Sequence, residues 1–417
     1  METNPQRRSI VIVGAGFSGL TLAALLAETG KFKISIYDKK PAGGLISSSV
    51  ISGTLFENAA PSLLNHHEFE NFAARLGVKL HPALRKARKR YLFLNKPERW
   101  PLGWLASLNF LFKAVRFKFL KSKSDTLSGL SLEEWSVRYF GNDFTEKVLK
   151  TAMQGVYAGP ISELSAELVA KRFFTEGRQK NRAKIKGSVV PEGGLSNFLA
   201  IIKAELLQKN VIFINEYPDA EHLTELHKNS LIVFATGFSD FVGLVSASPE
   251  TFLRLEKLSG AAWLNLSAKV KTISLAKAHL LLPSATHTID GFGMLFHPNA
   301  GFQSLGVIAN SQAFAAYGPV YNESWIMKCT EPNGVILKIT ADRQRLFGVS
   351  DSPSATLVSF NKNVYPLYDK NLQNWLAATR LQCGIFATGN YWGALGLTQI
   401  FLQNQQLCER ICNHEKK

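Results

Sequence analysis

Apolar residues in this chain come either in short unbroken runs or in helical stripes, and the alternation between the two predicts its elements. "SIVIV" is a continuous β-branched run, which reads as a strand at 10–13 buried on both faces. In "GAGFSGLTLAALLAETG" the apolar residues continue beyond three glycines at a density that suits a buried helix over 17–27. "FKISIYD" alternates and predicts a second strand ending at Asp38. Much later the same vocabulary returns. "VPEGGLSNFLAIIKAELLQKNVIFIN" reads as a turn at Gly193–Gly194, a helix and a strand at 211–214; "SLIVFATG" reads as a buried strand; "CGIFATGNYWGALGLTQIF" reads as a strand, a Gly-rich turn and a closing helix.

The opening run, preceded by two arginines, admits three readings: a secretory leader, a membrane span, or a strand turning into a nucleotide-binding helix. Gly14, Gly16 and Gly19 decide for the third, because they interrupt the apolar core of a leader yet fall where a GxGxxG turn needs them. Gly14 gives the tight turn, Gly16 lets the backbone approach a pyrophosphate, and Gly19 lets helix and strand pack. With Ala15, Phe17 and Ser18 these residues open a helix N-terminus toward the phosphates. Asp38, nineteen residues after Gly19, stands where an acid accepts from ribose hydroxyls, with Lys39 beside it. A second pair, Gly43 and Gly44, is more than a nicotinamide site usually needs. It fits an extended flavin cofactor, so FAD is expected rather than NAD.

Cofactor-binding pieces thus lie at the start, middle and end of the chain, the later ones contributing Gly237, Gly389, Gly396 and Leu397. The expected class is α/β: a Rossmann-type FAD-binding domain built from 1–80, 185–240 and 376–417, with a mostly helical basic insertion at 81–184 and an α+β substrate domain at 241–375. At 417 residues, two or three domains are expected. The four cysteines form no CxxC pair, which points to free thiols and a reducing, cytoplasmic compartment. No apolar stretch is long enough to span a membrane. His66, His67, His81, His287 and His297 show neither metal spacing nor a triad partner, so neither a metal site nor a catalytic side chain is assigned.

Charge adds a surface. The net charge is +16, and residues 85–123 hold twelve Lys or Arg against the single acid Glu98. No nucleic-acid motif accompanies that run. In 108–121 the apolar positions Leu108, Leu111, Phe112, Val115 and Phe119 form one stripe, with Lys113, Arg116, Lys118 and Lys121 opposite. Such a helix suits either peripheral contact with an anionic membrane or packing on the protein's own core with a solvated basic face. The sequence admits a homodimer without specifying one.

With these residues in hand, the chain resembles the flavin amine-oxidase superfamily, and within it the branch of oxygen-dependent protoporphyrinogen oxidases. The stretch "SLEEWSVRYFGNDFTEKVLKTAMQGVYAGPISELSAEL" carries the most specific likeness, joined by "VPEGGLSNF", "DGFGMLFHPNAGFQSLGVIANSQAF" and "ATGNYWGALGL". The resemblance implies an FAD-dependent oxidase in haem biosynthesis, acting on a tetrapyrrole-like or other apolar substrate with oxygen as acceptor and hydrogen peroxide as product. It also implies Arg90 as a propionate anchor and Gly159 with its carbonyl toward the substrate's pyrrole nitrogens, and the aromatic set that includes Phe292 and Tyr365 serves either a pocket or a core. Two departures stand out: "FENAAPS" where relatives have E-x-G-P, and "GLTQIF" where they carry GV-x-DCI. Those departures keep open another substrate on the same fold, such as an amine, a carotenoid or a sugar nucleotide, or a flavoprotein that does not turn over.

Overall fold

A computed structural model of the chain describes residues 7–101, 127, 129–174, 181–255 and 259–414. Five parallel strands form one sheet in the order Ile212–Ile214, Phe32–Tyr37, Arg8–Val13, Ser230–Phe234 and Ile385–Ala387. The run "RSIVIV" is central, paired with Phe32–Tyr37 on one side and Ser230–Phe234 on the other, which is why it carries no alternation. Helix Phe17–Glu28 covers one face and is itself covered by Gly194–Gln208 and Leu397–Cys412, so it reads apolar nearly all round. The strands at 212–214 and 230–234 are joined through the helix Ala220–Asn229.

The other face of the parallel sheet packs against the helical segment and against an aromatic cluster of Phe238, Phe241, Trp263, Trp375 and Tyr391. Its buried indoles are satisfied, Trp375 Nε1 donating to Ser267 Oγ at 2.9 Å and Trp263 Nε1 to Thr379 Oγ1 at 3.0 Å. Helix Leu132–Phe140 begins with a capping box, Ser131 and Glu134 each accepting from the other's backbone N–H.

A second sheet of seven strands runs Ala355–Pro366, Thr272–Leu281, Asn322–Lys328, Ser304–Ala309, Gly293–Phe296, Arg90–Phe93 and Pro97–Trp100. All its pairings are antiparallel except that of Gly293–Phe296 with Arg90–Phe93. Residues 90–100, which the sequence assigns to the helical insertion, therefore form the edge of this sheet. Their basic side chains hid a strand pattern, since alternation of charge with Tyr91 and Phe93 is also what a solvated edge requires. The outer face is closed by helix Val335–Phe347, whose buried Arg343 bridges Glu323 at 3.1 Å and Asp351 at 2.6 Å. Both ends of that triad would be expensive to leave unpaired. The basic amphipathic stretch 108–121 lies outside the described residues. Among the described residues no helix is long and apolar enough to cross a membrane.

Candidate dinucleotide and substrate cleft

The C-terminal ends of the parallel strands open into a cleft of about 470 Å³ whose opposite wall is the second sheet. Its first half is made of backbone. Gly14 adopts φ +114°, and a Cβ there would sit 2.6 Å from the Ala235 carbonyl oxygen; one on Gly19 would sit 1.9 Å from the Gly14 carbonyl. Gly16 forms a parallel bridge with Gly43, and Gly43 N–H donates to Ala15 O at 2.9 Å, so the second glycine pair lies directly on the first turn. Helix Phe17–Glu28 starts with no side-chain cap at Gly16, leaving its first N–H groups directed to the cleft. This is a phosphate cradle formed by close approach of backbone, which added side chains would fill.

Asp38 follows strand Phe32–Tyr37 and is nearly buried at 9% exposure. One carboxylate oxygen accepts from Ala15 N–H at 2.7 Å and the other from Lys40 N–H at 2.9 Å, so the acid is held rigidly at the rim. Lys39 crosses to Asp240 at 2.9 Å and sits 4.7 Å from the centre of the Tyr217 ring. The burial of Tyr217, with the charges of Asp38 and Asp240, pushes its phenol up and keeps it protonated.

Of the residues expected at a cofactor, Gly14, Gly16, Phe17, Ser18, Asp38, Lys39, Gly44, Gly237, Gly389, Gly396 and Leu397 line this cleft. Ala15, Gly19 and Gly43 stand behind it and shape the turn. The three substrate candidates lie elsewhere. Arg90 is exposed on the strand next to the edge, with its guanidinium 5.0 Å from the Phe292 ring; Phe292 packs on Phe314; and Gly159 lies against Leu367, which a Cβ there would meet at 2.4 Å. Of the aromatics, Tyr365 faces the cleft, and burial pushes its phenol up to about 12, whereas Phe296, Tyr368 and Trp375 belong to the cores.

The far half of the cleft draws on Gly155 to Ala158 from helix Thr151–Tyr157 and its end, and on Leu275, Lys277, Ile326, Asn361 and Tyr365 from the second sheet. Register explains the grouping: Lys277 lies opposite Ile326 on one neighbour, and Leu275 opposite Asn361 on the other, so all four share a face. Lys277 is 5% exposed and donates to the carbonyls of Glu57 at 2.5 Å and Ala59 at 3.1 Å, tying the loop at 57–60 to the sheet. Ser359 supports the same loop by donating to Asn58 O at 2.9 Å. Burial pushes the Lys277 ammonium down to about 7, with the Glu57 charge opposing. Burial also raises the Glu57 carboxyl, against the lowering effect of Leu195 N–H at the start of helix Gly194–Gln208, the Ser48 hydroxyl and Lys277. Sequence reasoning missed Lys277, although a lysine on the inward phase of "TISLAKAHLL" is the signal that would have found it.

Comparison with known proteins places this geometry. Residues 12–76 match the family model of an NAD(P)-binding Rossmann-like domain. A protoporphyrinogen oxidase of Schizosaccharomyces pombe is 28% identical over 97% of this chain and 99% of its own length. Among solved structures, a reduced UDP-galactopyranose mutase superposes with a TM-score of 0.72 at 15% identity, covering 98% of this chain and 96% of that one. A putrescine oxidase bound to putrescine gives 0.64 at 13% identity, covering 97% and 99%. The chain therefore shares the fold of these two solved structures, and it is similar along its whole length to a protoporphyrinogen oxidase.

Proposed function

We propose that this chain is an FAD-dependent oxidoreductase that oxidises a large, flat, apolar molecule of the porphyrinogen class, with oxygen as the final acceptor. The observation that carries the reading is the continuity of the cleft, which runs from the glycine turn and Asp38 to a wall of apolar and aromatic side chains on a second sheet. The whole-length likeness to protoporphyrinogen oxidase narrows the substrate.

FAD held in this cleft would supply the two-electron acceptor for hydride, with oxygen as the oxidant that restores it and hydrogen peroxide as the product. The chain itself would bind the pyrophosphate at the Phe17 and Ser18 end of the first helix and the ribose at Asp38. Loop 57–60, fixed by Lys277 and Ser359, orients the inner wall, while Val156, Tyr157, Leu275, Ile326 and Tyr365 exclude water from it. When a carbon between two rings loses hydride, a neighbouring N–H must lose its proton. Lys277 Nζ, titrating near 7 inside the wall, is the group placed to hold that proton.

Arg85, Arg88, Arg90 and Arg99 are exposed near the edge of the second sheet, and this basic face is the one we assign to an anionic membrane. The decisive experiment purifies the protein, looks for yellow colour and acid-released FAD, and then follows porphyrin fluorescence and peroxide with protoporphyrinogen in air. Protein that holds FAD but yields no porphyrin above the spontaneous background removes the substrate assignment. Protein that cannot be loaded with FAD removes the enzyme class.

A further inference from the structure

We infer that the far end of the cleft accepts neutral or anionic apolar molecules and excludes cations, with Lys277 as the residue that sets this selectivity. The inference deepens the flavoenzyme reading and rests on it for the role of the cleft. Charge is unevenly distributed along the cleft. Its two lining carboxylates, Asp38 and Asp240, both belong to the dinucleotide end. Among the described lining residues of the far half, Lys277 is the charged one, set among Val156, Leu275, Ile326 and Tyr365.

The surroundings of Lys277 leave its charge to be felt by a ligand. Its hydrogen bonds go to two backbone carbonyls rather than to a carboxylate. Glu57 is the acid that faces it, but that carboxylate is turned to Leu195 N–H at 2.7 Å and Ser48 Oγ at 2.9 Å, against the positive end of a helix. His279, two residues along on the same face, has its Nδ1 2.7 Å from Ser324 Oγ and is held neutral, its pKa lowered by burial and then by Lys277. Tyr317 and Tyr365 are kept protonated by burial. A second positive charge brought within about 6 Å of a lysine that stayed protonated, at an effective dielectric of about 20, would weaken binding on the order of a hundredfold. An uncharged or carboxylate-bearing molecule meets no such repulsion. A diamine such as putrescine is therefore a poor occupant of this cleft, although an enzyme that binds it shares the fold.

The test uses two probes of one shape that differ by a charge, phenyltrimethylammonium and tert-butylbenzene, titrated into FAD-loaded protein and followed by flavin absorbance. At pH 6 the neutral probe should bind about tenfold tighter than the cation, because Lys277, titrating near 7, can shed its proton when the cation enters and so caps the repulsion at about one pH unit. The ratio should shrink as pH passes 7 toward 9, since the cationic probe cannot titrate and Lys277 can. Lys277→Met should give the small ratio at both pH values, and Lys277→Arg should keep the large one at pH 9, because a guanidinium stays charged. Equal affinities in the wild type at pH 6, or a ratio that neither pH nor Lys277→Met changes, would overturn the inference. Should the methionine variant fail to fold, the wild-type pH series and the arginine variant still decide. If the wild type takes up no FAD, the flavoenzyme reading fails by itself, and calorimetry of the same probes on the flavin-free chain tests the charge selectivity separately.

Discussion

The two ends of the cleft are built on opposite principles. At the dinucleotide end, function requires the absence of side chains: Gly14, Gly16, Gly43 and Gly44 let backbone meet backbone, and local spacing specifies everything. At the far end, function requires side chains delivered by residues spread over more than two hundred positions, Val156, Leu275, Ile326 and Tyr365, with one buried amine among them. The contrast teaches that tolerance to change should be opposite as well. An added methyl ruins the first end, and a lost charge retunes the second.

The largest effect should come from Gly14→Val. Its Cβ would press on the Ala235 carbonyl from a left-handed backbone, costing about 3 kcal/mol or more. Gel-filtered variant should carry no flavin and melt well below the wild type; flavin content equal to wild type would show that the first end tolerates side chains after all. Asp38→Ala should come next, removing a charged acceptor worth roughly 1.5–3 kcal/mol and orphaning Ala15 N–H. Equilibrium dialysis should then show FAD affinity about ten- to a hundredfold weaker.

Lys277 gives the far end a pH signature. Its folded-state pKa is about 7 against an unfolded value of 10.5, so between these limits the unfolded chain binds the extra proton and stability rises with pH. Below about pH 7 the lysine is charged in both states and its full burial cost is present. Wild type should therefore gain up to about 1.4 kcal/mol per pH unit above 7 relative to Lys277→Met, read from denaturant midpoints at matched salt. Parallel pH curves for the two proteins would show that Lys277 titrates normally. The smallest effect belongs to the exposed Lys39–Asp240 pair at the rim. Asp240→Asn should change stability by only about 0.2–1 kcal/mol, and less in high salt.

How much could be read in advance follows the same division. The GxGxxG turn, Asp38 and the Gly-rich turns before Phe238 and Leu397 are local, and the strand and helix periods around them are long enough to be recognised. The far wall was not legible, because which face of "TISLAKAHLL" meets the cleft is settled only by its pairing with strands eighty residues away. Arg90 illustrates the converse error. The family resemblance gave it a propionate-binding role, and the pairing of residues 90–93 with 293–296 sets its guanidinium over Phe292, away from the cleft lining. Tyr365 and Trp375 were indistinguishable as aromatics ten residues apart, and only the packing sends one to the cleft and the other to the core.

The parallel sheet has a consequence for the order of synthesis. Its first strand is the third in space, and its last, Ile385–Ala387, is an edge made from residues synthesised long after that first strand. The helix that follows supplies Asn404, whose side chain donates to Ser18 O and to Thr21 Oγ1, both at 2.8 Å, bracing the glycine turn from behind. Until that helix emerges, a nascent chain holds the glycine turn without the Asn404 brace and an apolar helix, Phe17–Glu28, with one flank bare. Such a chain is a natural client for a chaperone, and a tag or truncation beyond residue 397 should disturb cofactor capture as surely as one near Gly14.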